Sequence, residues 1–247
     1  MWFLKGAGVT LLIAISGTVI GWLIGLLIGV VKTIPGDRRR YTFKNGALLV
    51  SRALLSCYVE IFRGTPMIVQ AVVIYYGLME GFGIDLPPLT AGILIVSINT
   101  GAYMAEVVRG GIESIDPGQT EAAKAIGMSH FQTMLNVILP QAIRNILPAT
   151  GNEFVINIKD TSVLNVIAVT ELFFQTKSVK GAIFRTFESY LITAAIYLIL
   201  TLSVTRILRY LEKRMDGPKN FTLATSSTMP GSILPAQKRH GKGEPGL

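Results

Sequence analysis

The chain has 247 residues, half of them hydrophobic, with a mean hydropathy of +0.51 and only 15% charged residues. A soluble domain carries about 25% charge, so the composition reads as an integral membrane protein. One cysteine excludes an intrachain disulfide, and two histidines beside it make no metal-ligand spacing.

Lys5 and Lys32 bracket an uncharged run, Gly6 to Val31. It is long enough to cross a hydrocarbon core of about 30 Å and too long for a signal-peptide core, and no A-x-A cleavage site follows. It is read as a retained first span. Gly17, Gly21, Gly25 and Gly29 recur every fourth residue, which predicts one smooth face that another helix approaches closely. Lys32, Arg38, Arg39, Arg40 and Lys44 follow in a short loop, and such clusters mark the cytoplasmic side. The N-terminus is then expected outside.

The second span is expected to begin near Ser51 and to bend at Gly64-Thr65-Pro66. Its Arg52, Glu60 and Arg63 should face protein or water. The loop Glu80 to Pro88 lacks Lys and Arg and suits the outside. Leu86 to Ala105 gives a third, inward span, with Asn99 and Tyr103 four apart on one face.

A polar island, Asp116 to Pro140, comes next. Asp116 with Gln119 has capping-box spacing, and Pro117 suits a first turn. Gly127 stands where a C′ residue belongs. Ser129 with Gln132 repeats the capping box ahead of HFQTMLNVI, which Pro140 ends or follows as the start of the next element. The expectation is two short helices joined by a tight turn. In isolation the pattern also fits a DNA-binding helix-turn-helix. Membrane helices on both sides tie it to the bilayer and argue against docking in a groove.

Residues 141–163 form the fourth span. Glu153, Asn157 and Asp160, at i, i+4 and i+7, share a face. An acidic residue at a helix centre costs roughly 2.5–3.5 kcal/mol on insertion scales, so this span should sit inside the bundle or line a water-filled path. Residues 164–187 read as an outside segment with a short helix. Tyr190 to Thr205 is the uncharged centre of a fifth span, closed by Arg206, Arg209, Lys213 and Arg214. Residues 1–216 are thus read as an all-α, five-helix membrane domain. The Gly-, Pro- and Ser-rich residues 217–247 are read as a flexible cytoplasmic tail.

At the island, EAAKAIG followed by VILP resembles the EAA signature of ABC importer permeases, carried by Glu121, Ala122, Ala123, Gly127, Ile138, Leu139 and Pro140. FRGTP, YYGL, GAYMAEVVRGGIESI, GQTEAAKAIGMS, LPQAIRNILP and KDTSVLNVIAVTEL resemble the polar amino acid branch in particular. The resemblance implies a non-catalytic permease subunit in a bacterial cytoplasmic membrane, surrounded by lipid and paired with an identical or homologous subunit. It implies two ATP-binding cassette subunits below and an extracytoplasmic solute-binding protein above. ATP and Mg would be bound by the ATPase partners and no cofactor by this chain, with no nucleic acid involved. Glu121, Ala122, Ala123 and Gly127 would couple to the ATPases.

A polar amino acid needs partners of both signs. Glu153 and Asp160 are the acidic candidates, and Asp160 is equally open to a structural role. Asn157 shares their face, Gln70, Asn99 and Tyr103 could line the path, and Arg63 could meet a carboxylate or pair with Glu60. The extra acidic side chain favours a basic amino acid, with glutamine or another polar amino acid as the alternative. An ion-driven secondary carrier is the alternative of a different class. Its usual internal repeat is not visible here.

Overall fold

A computed structural model describes residues 1–34 and 43–215. The Arg38–Arg40 triplet and the tail from 217, on which part of the topology expectation rests, lie outside the described residues. No strand occurs among the described residues.

The first helix, α1 (Trp2–Thr33), and α4 (Pro88–Glu113) form the central pair. A Cβ added at Gly17, Gly21, Gly25 or Gly29 would come within 3.0 Å of Val96, Thr100, Met104 and Val108 in turn. Every fourth residue of α1 therefore meets every fourth residue of α4 in the same order. The two helices run parallel, in register and nearly backbone to backbone. The glycine spacing does what the sequence predicts, because without Cβ atoms the axes close up until dispersion contacts are continuous.

Between them in sequence come α2 (Phe43–Gly64) and α3 (Met67–Tyr76), with a π-helical turn at Gly77–Gly81. The second helix begins at Phe43, well before Ser51, and Arg52 faces protein, as expected, with its Nε donating to the Val31 carbonyl at 3.4 Å. The bend at the Gly-Thr-Pro step is 115°, far beyond a kink. Proline excludes its predecessor from the α region and cannot donate to the ladder, and Pro66 itself is extended, at φ −65° and ψ 137°.

The island holds α5 (Pro117–Ala125) and the single turn α6 (His130–Thr133). Asp116 caps α5 by accepting from the Gly118 N–H at 2.7 Å. The expected reciprocal bond from Gln119 does not form, and its Oε1 instead accepts from Gln141 at 3.4 Å. The Ser129–Gln132 box does form, with bonds of 2.9 and 3.3 Å. Pro140 starts an element rather than ending one. Through a π-helical stretch, Met134–Ile138, the chain runs straight into α7 (Leu139–Asp160). A wide π turn at this point accommodates a ring with no N–H to donate.

Two pairs fix the direction of α7. Thr100 meets Asn157, and a Cβ at Gly111 would meet Ile146, so α7 runs antiparallel to α4. A 3-10 segment, Thr161–Ile167, leads to α8 (Leu172–Ile183) and then α9 (Thr186–Met215). Glu171, fully buried, caps α8 with both carboxylate oxygens at 2.7 Å and accepts from Tyr197 of α9 at 3.0 Å. Helices α1, α4 and α9 are long and apolar enough to cross a membrane, and α2 with α3 qualifies as a broken span. At 22 residues α7 is about 33 Å long, though its charged residues keep it from reading as a lipid-facing span.

Candidate functional site

The polar residues of the membrane helices fall into two groups: those turned into the fold and those left open. Gln70 and Asn99 belong to the first, both buried. The last turn of α2 leaves carbonyls without helical partners. Gln70 Nε2 donates to Phe62 O and to Thr65 O and Oγ1, each at 2.9 Å. Asn99 Nδ2 donates to Gln70 Oε1 at 2.8 Å and lies 3.4 Å from Phe62 O. The two amides close the helix break and tie it to α4, instead of lining a path as expected from sequence.

Asn157 is likewise committed. It is 2% exposed, and its Nδ2 donates to Thr18 Oγ1 at 2.8 Å and to Thr100 Oγ1 at 3.0 Å. One amide thus joins α1, α4 and α7. Of the three polar residues on the α7 face, the middle one is a structural knot.

The open group is Arg63, Tyr103, Glu153 and Asp160. The Arg63 guanidinium lies 5.5 Å from the Tyr103 ring centre, a cation–π contact. The expected alternative partner, Glu60, makes no ion pair with it among the described residues. Glu153 and Asp160 are partly exposed and have no side-chain hydrogen bond or ion pair among the described residues. The antiparallel register places Glu153 one turn from Asn157 just as Tyr103 lies about one turn from Thr100, in the same direction. Glu153, Tyr103 and the stacked Arg63 therefore share one depth, with Asp160 two turns away along α7. The Arg63 guanidinium and the Glu153 carboxylate thus lie at one level along the bundle.

At the other end of α4, Lys32 reaches Glu106 at 2.6 Å, and Arg109 clasps Glu106 at 2.8 Å and Glu113 at 2.6 Å. Met104, Val108 and Ile112 of α4 pack with Met134, Ile138, Ala142 and Ile146, joining the island to both flanking helices. Glu121 and Ala122 are exposed. Ala123, expected on the partner-facing side, is 4% exposed and packs inward. Gly127 has φ +81°. The Met128 N–H donates to Ala123 O and the Gly127 N–H to Lys124 O, each at 3.0 Å, which is the Schellman pattern. Ile126 and Phe131, 78% and 70% exposed, flank this turn. Sequence reasoning passed over both. Apolar residues inside a polar island were the available signal, muted in a chain that is half apolar.

The comparisons decide what this arrangement belongs to. Residues 21–217 match the binding-protein-dependent transport system inner membrane component family. This chain is a member of that family. The permease is 41% identical over 213 residues to the glutamine transport system permease protein GlnP of Escherichia coli (strain K12), covering 86% of this chain and 92% of that one. It is 36% identical over 212 residues to the probable amino-acid permease protein YxeN of Bacillus subtilis (strain 168), covering 85% and 89%. It also superposes on the crystal structure of an amino acid ABC transporter with histidines at a TM-score of 0.75, with 40% identity over 86% of this chain and 94% of that one. The permease is therefore a multi-pass inner-membrane component of a binding-protein-dependent transport system.

Proposed function

We propose that the permease passes a polar amino acid between Arg63, Tyr103 and Glu153, and that basic amino acids are preferred. The observation that carries this is the pair of α7 carboxylates that have no ion pair or side-chain hydrogen bond among the described residues, one of them level with the Arg63–Tyr103 contact. The substrate carboxylate meets Arg63 and its ammonium meets Glu153. A cationic side chain then has Asp160 to approach, and each charge-assisted contact replaces water lost on entry. Glutamine is the second reading, favoured by the name of the 41% identical relative.

Uptake by the reconstituted transporter separates the two. Glu153→Gln keeps shape and removes charge, and is expected to impair Arg, Lys or His uptake more than glutamine uptake, by on the order of 1–3 kcal/mol. Intact uptake of basic amino acids by this variant at subsaturating substrate, or a wild type that carries only neutral ones, defeats the basic reading.

The proposal includes two ATP-binding cassette subunits, which bind ATP and Mg, a second permease subunit and an extracytoplasmic binding protein. Exposed Glu121, Ala122, Ile126 and Phe131 form the face offered to an ATPase. We place the N-terminus outside and the C-terminal end of α9 in the cytoplasm. The basic residues counted along the sequence and the shared direction of α1 and α4 support this orientation. A reporter fused after Met215 is expected to be active only if it functions in the cytoplasm. Activity of a reporter that works only outside would reverse the topology.

A further inference from the structure

Where α1 and α4 end and the island begins, a cavity of about 230 Å³ opens between them. Thr33 of α1, Ile112 of α4, Thr120 and Lys124 of α5, and His130 and Thr133 at α6 line it. Its chemistry is two-sided. Lys124, His130 and Thr120 supply hydrogen-bond donors, while Thr33 and Thr133 already donate to the Val30 and Ser129 carbonyls, and Ile112 supplies an apolar wall. The neighbouring cations Lys32 and Arg109 are taken up by Glu106 and Glu113. Lys124 has no ion pair and Thr120 no side-chain hydrogen bond among the described residues, so both are available to a ligand.

From this geometry we infer that the cavity binds the phosphate of an anionic phospholipid from the cytoplasmic leaflet, with the adjoining apolar wall against its glycerol and upper acyl carbons. The inference rests on the orientation proposed above, which puts Thr33 at the cytoplasmic surface. Anionic headgroups concentrate there, and basic pockets at helix ends attract them. The apolar wall favours an amphiphile over a soluble anion. Such a lipid touches a membrane helix end and α5 at once, so it would steady the island against the bundle.

The test is native mass spectrometry of the whole transporter, with its ATPase subunits, equilibrated with equal amounts of phosphatidylglycerol and phosphatidylcholine. Lys124→Gln is expected to lower phosphatidylglycerol occupancy about fivefold and His130→Gln to lower it further, with phosphatidylcholine occupancy unchanged. Thr120→Trp, which obstructs the cavity and removes no cation, should also exclude phosphatidylglycerol. Assembly with the ATPase subunits checks that each variant is folded. Unchanged phosphatidylglycerol occupancy in the folded variants overturns the site. So does equal loss of both lipids, or full displacement by an equal concentration of inorganic phosphate, which would make it a free-anion site. A reversed topology would appear in the reporter fusion and not in these occupancies, so the two failures remain distinct.

Discussion

Gly25→Leu is expected to lower the melting temperature of the permease markedly, whereas Gly8→Leu, on the same helix, is expected to be harmless. A Cβ at Gly25 would lie 2.7 Å from the Met104 carbonyl carbon and 2.8 Å from the Ala105 nitrogen. These are backbone atoms, so no rotamer change relieves the overlap and the two helices must separate. Overpacking of a well-filled interior costs about 1–3 kcal/mol when side chains can shift. Here the neighbouring contacts at Gly21 and Gly29 are lost as well, so the cost sits at or above the top of that range. The Asn157 bonds to Thr18 and Thr100 would stretch with them. Nothing lies within 4 Å of a Cβ at Gly8, which makes it the matched control on the same helix. Thermal unfolding of the two purified variants beside wild type is the measurement. Equal melting of Gly25→Leu and wild type would contradict the close parallel packing of α1 and α4.

Gly127→Val is expected to remove most substrate-stimulated ATP hydrolysis while the membrane helices still insert. The residue sits at φ +81° with open space around its Cα, so the penalty is conformational and not a clash. A non-glycine residue in the left-handed region costs roughly 1–2 kcal/mol, and a β-branched one more. The Schellman pair holding the end of α5 breaks when that φ reverts, and Ile126 and Phe131 lose their placement on either side of the turn. Gly127→Asn supplies the rescue arm, because asparagine tolerates this region, and should retain much of the stimulation. If valine leaves the stimulation intact, this turn has no part in coupling.

Much of the bundle is legible in the sequence, and the exceptions have physical causes. Hydropathy finds α1, α4 and α9 because long uncharged runs have few alternatives in a chain of this kind. It places α7 to within a few residues, although its charges make it the least apolar span. The start of α2 is missed because Lys44, one of five basic residues in a short stretch, reads as part of the loop, whereas the helix already begins at Phe43. Gly64-Thr65-Pro66 announces a break but carries no angle. At the 115° turn Gln70, just past the break, bonds its carbonyls, and Asn99 reaches in from α4. The same limit explains the site. An amide on a membrane helix signals that some polar partner exists, and the sequence does not say whether that partner is substrate or another helix. Gln70, Asn99 and Asn157 turn out to be bonded within the chain. Glu153 and Asp160 stay open because no described cation forms an ion pair with either. At the island the two caps have the same spacing, yet only Ser129–Gln132 closes, since Gln119 is drawn off by Gln141, far along the chain.

The pairing of α1 with α4 also sets a demand on biogenesis. Gly17, Gly21, Gly25 and Gly29 each meet a residue about eighty positions further on, so at synthesis rates of about 5–20 residues per second the ribosome needs roughly 4–16 s to make its partner. During that interval α1 stands in the bilayer with its bare glycine groove against lipid chains, which fill it poorly. The helix must therefore persist on backbone hydrogen bonding and the apolar residues of its other faces, and the nascent protein carries an open seam. That interval is when an insertase or chaperone could engage α1, and when a foreign helix with a small-residue face could take the place of α4.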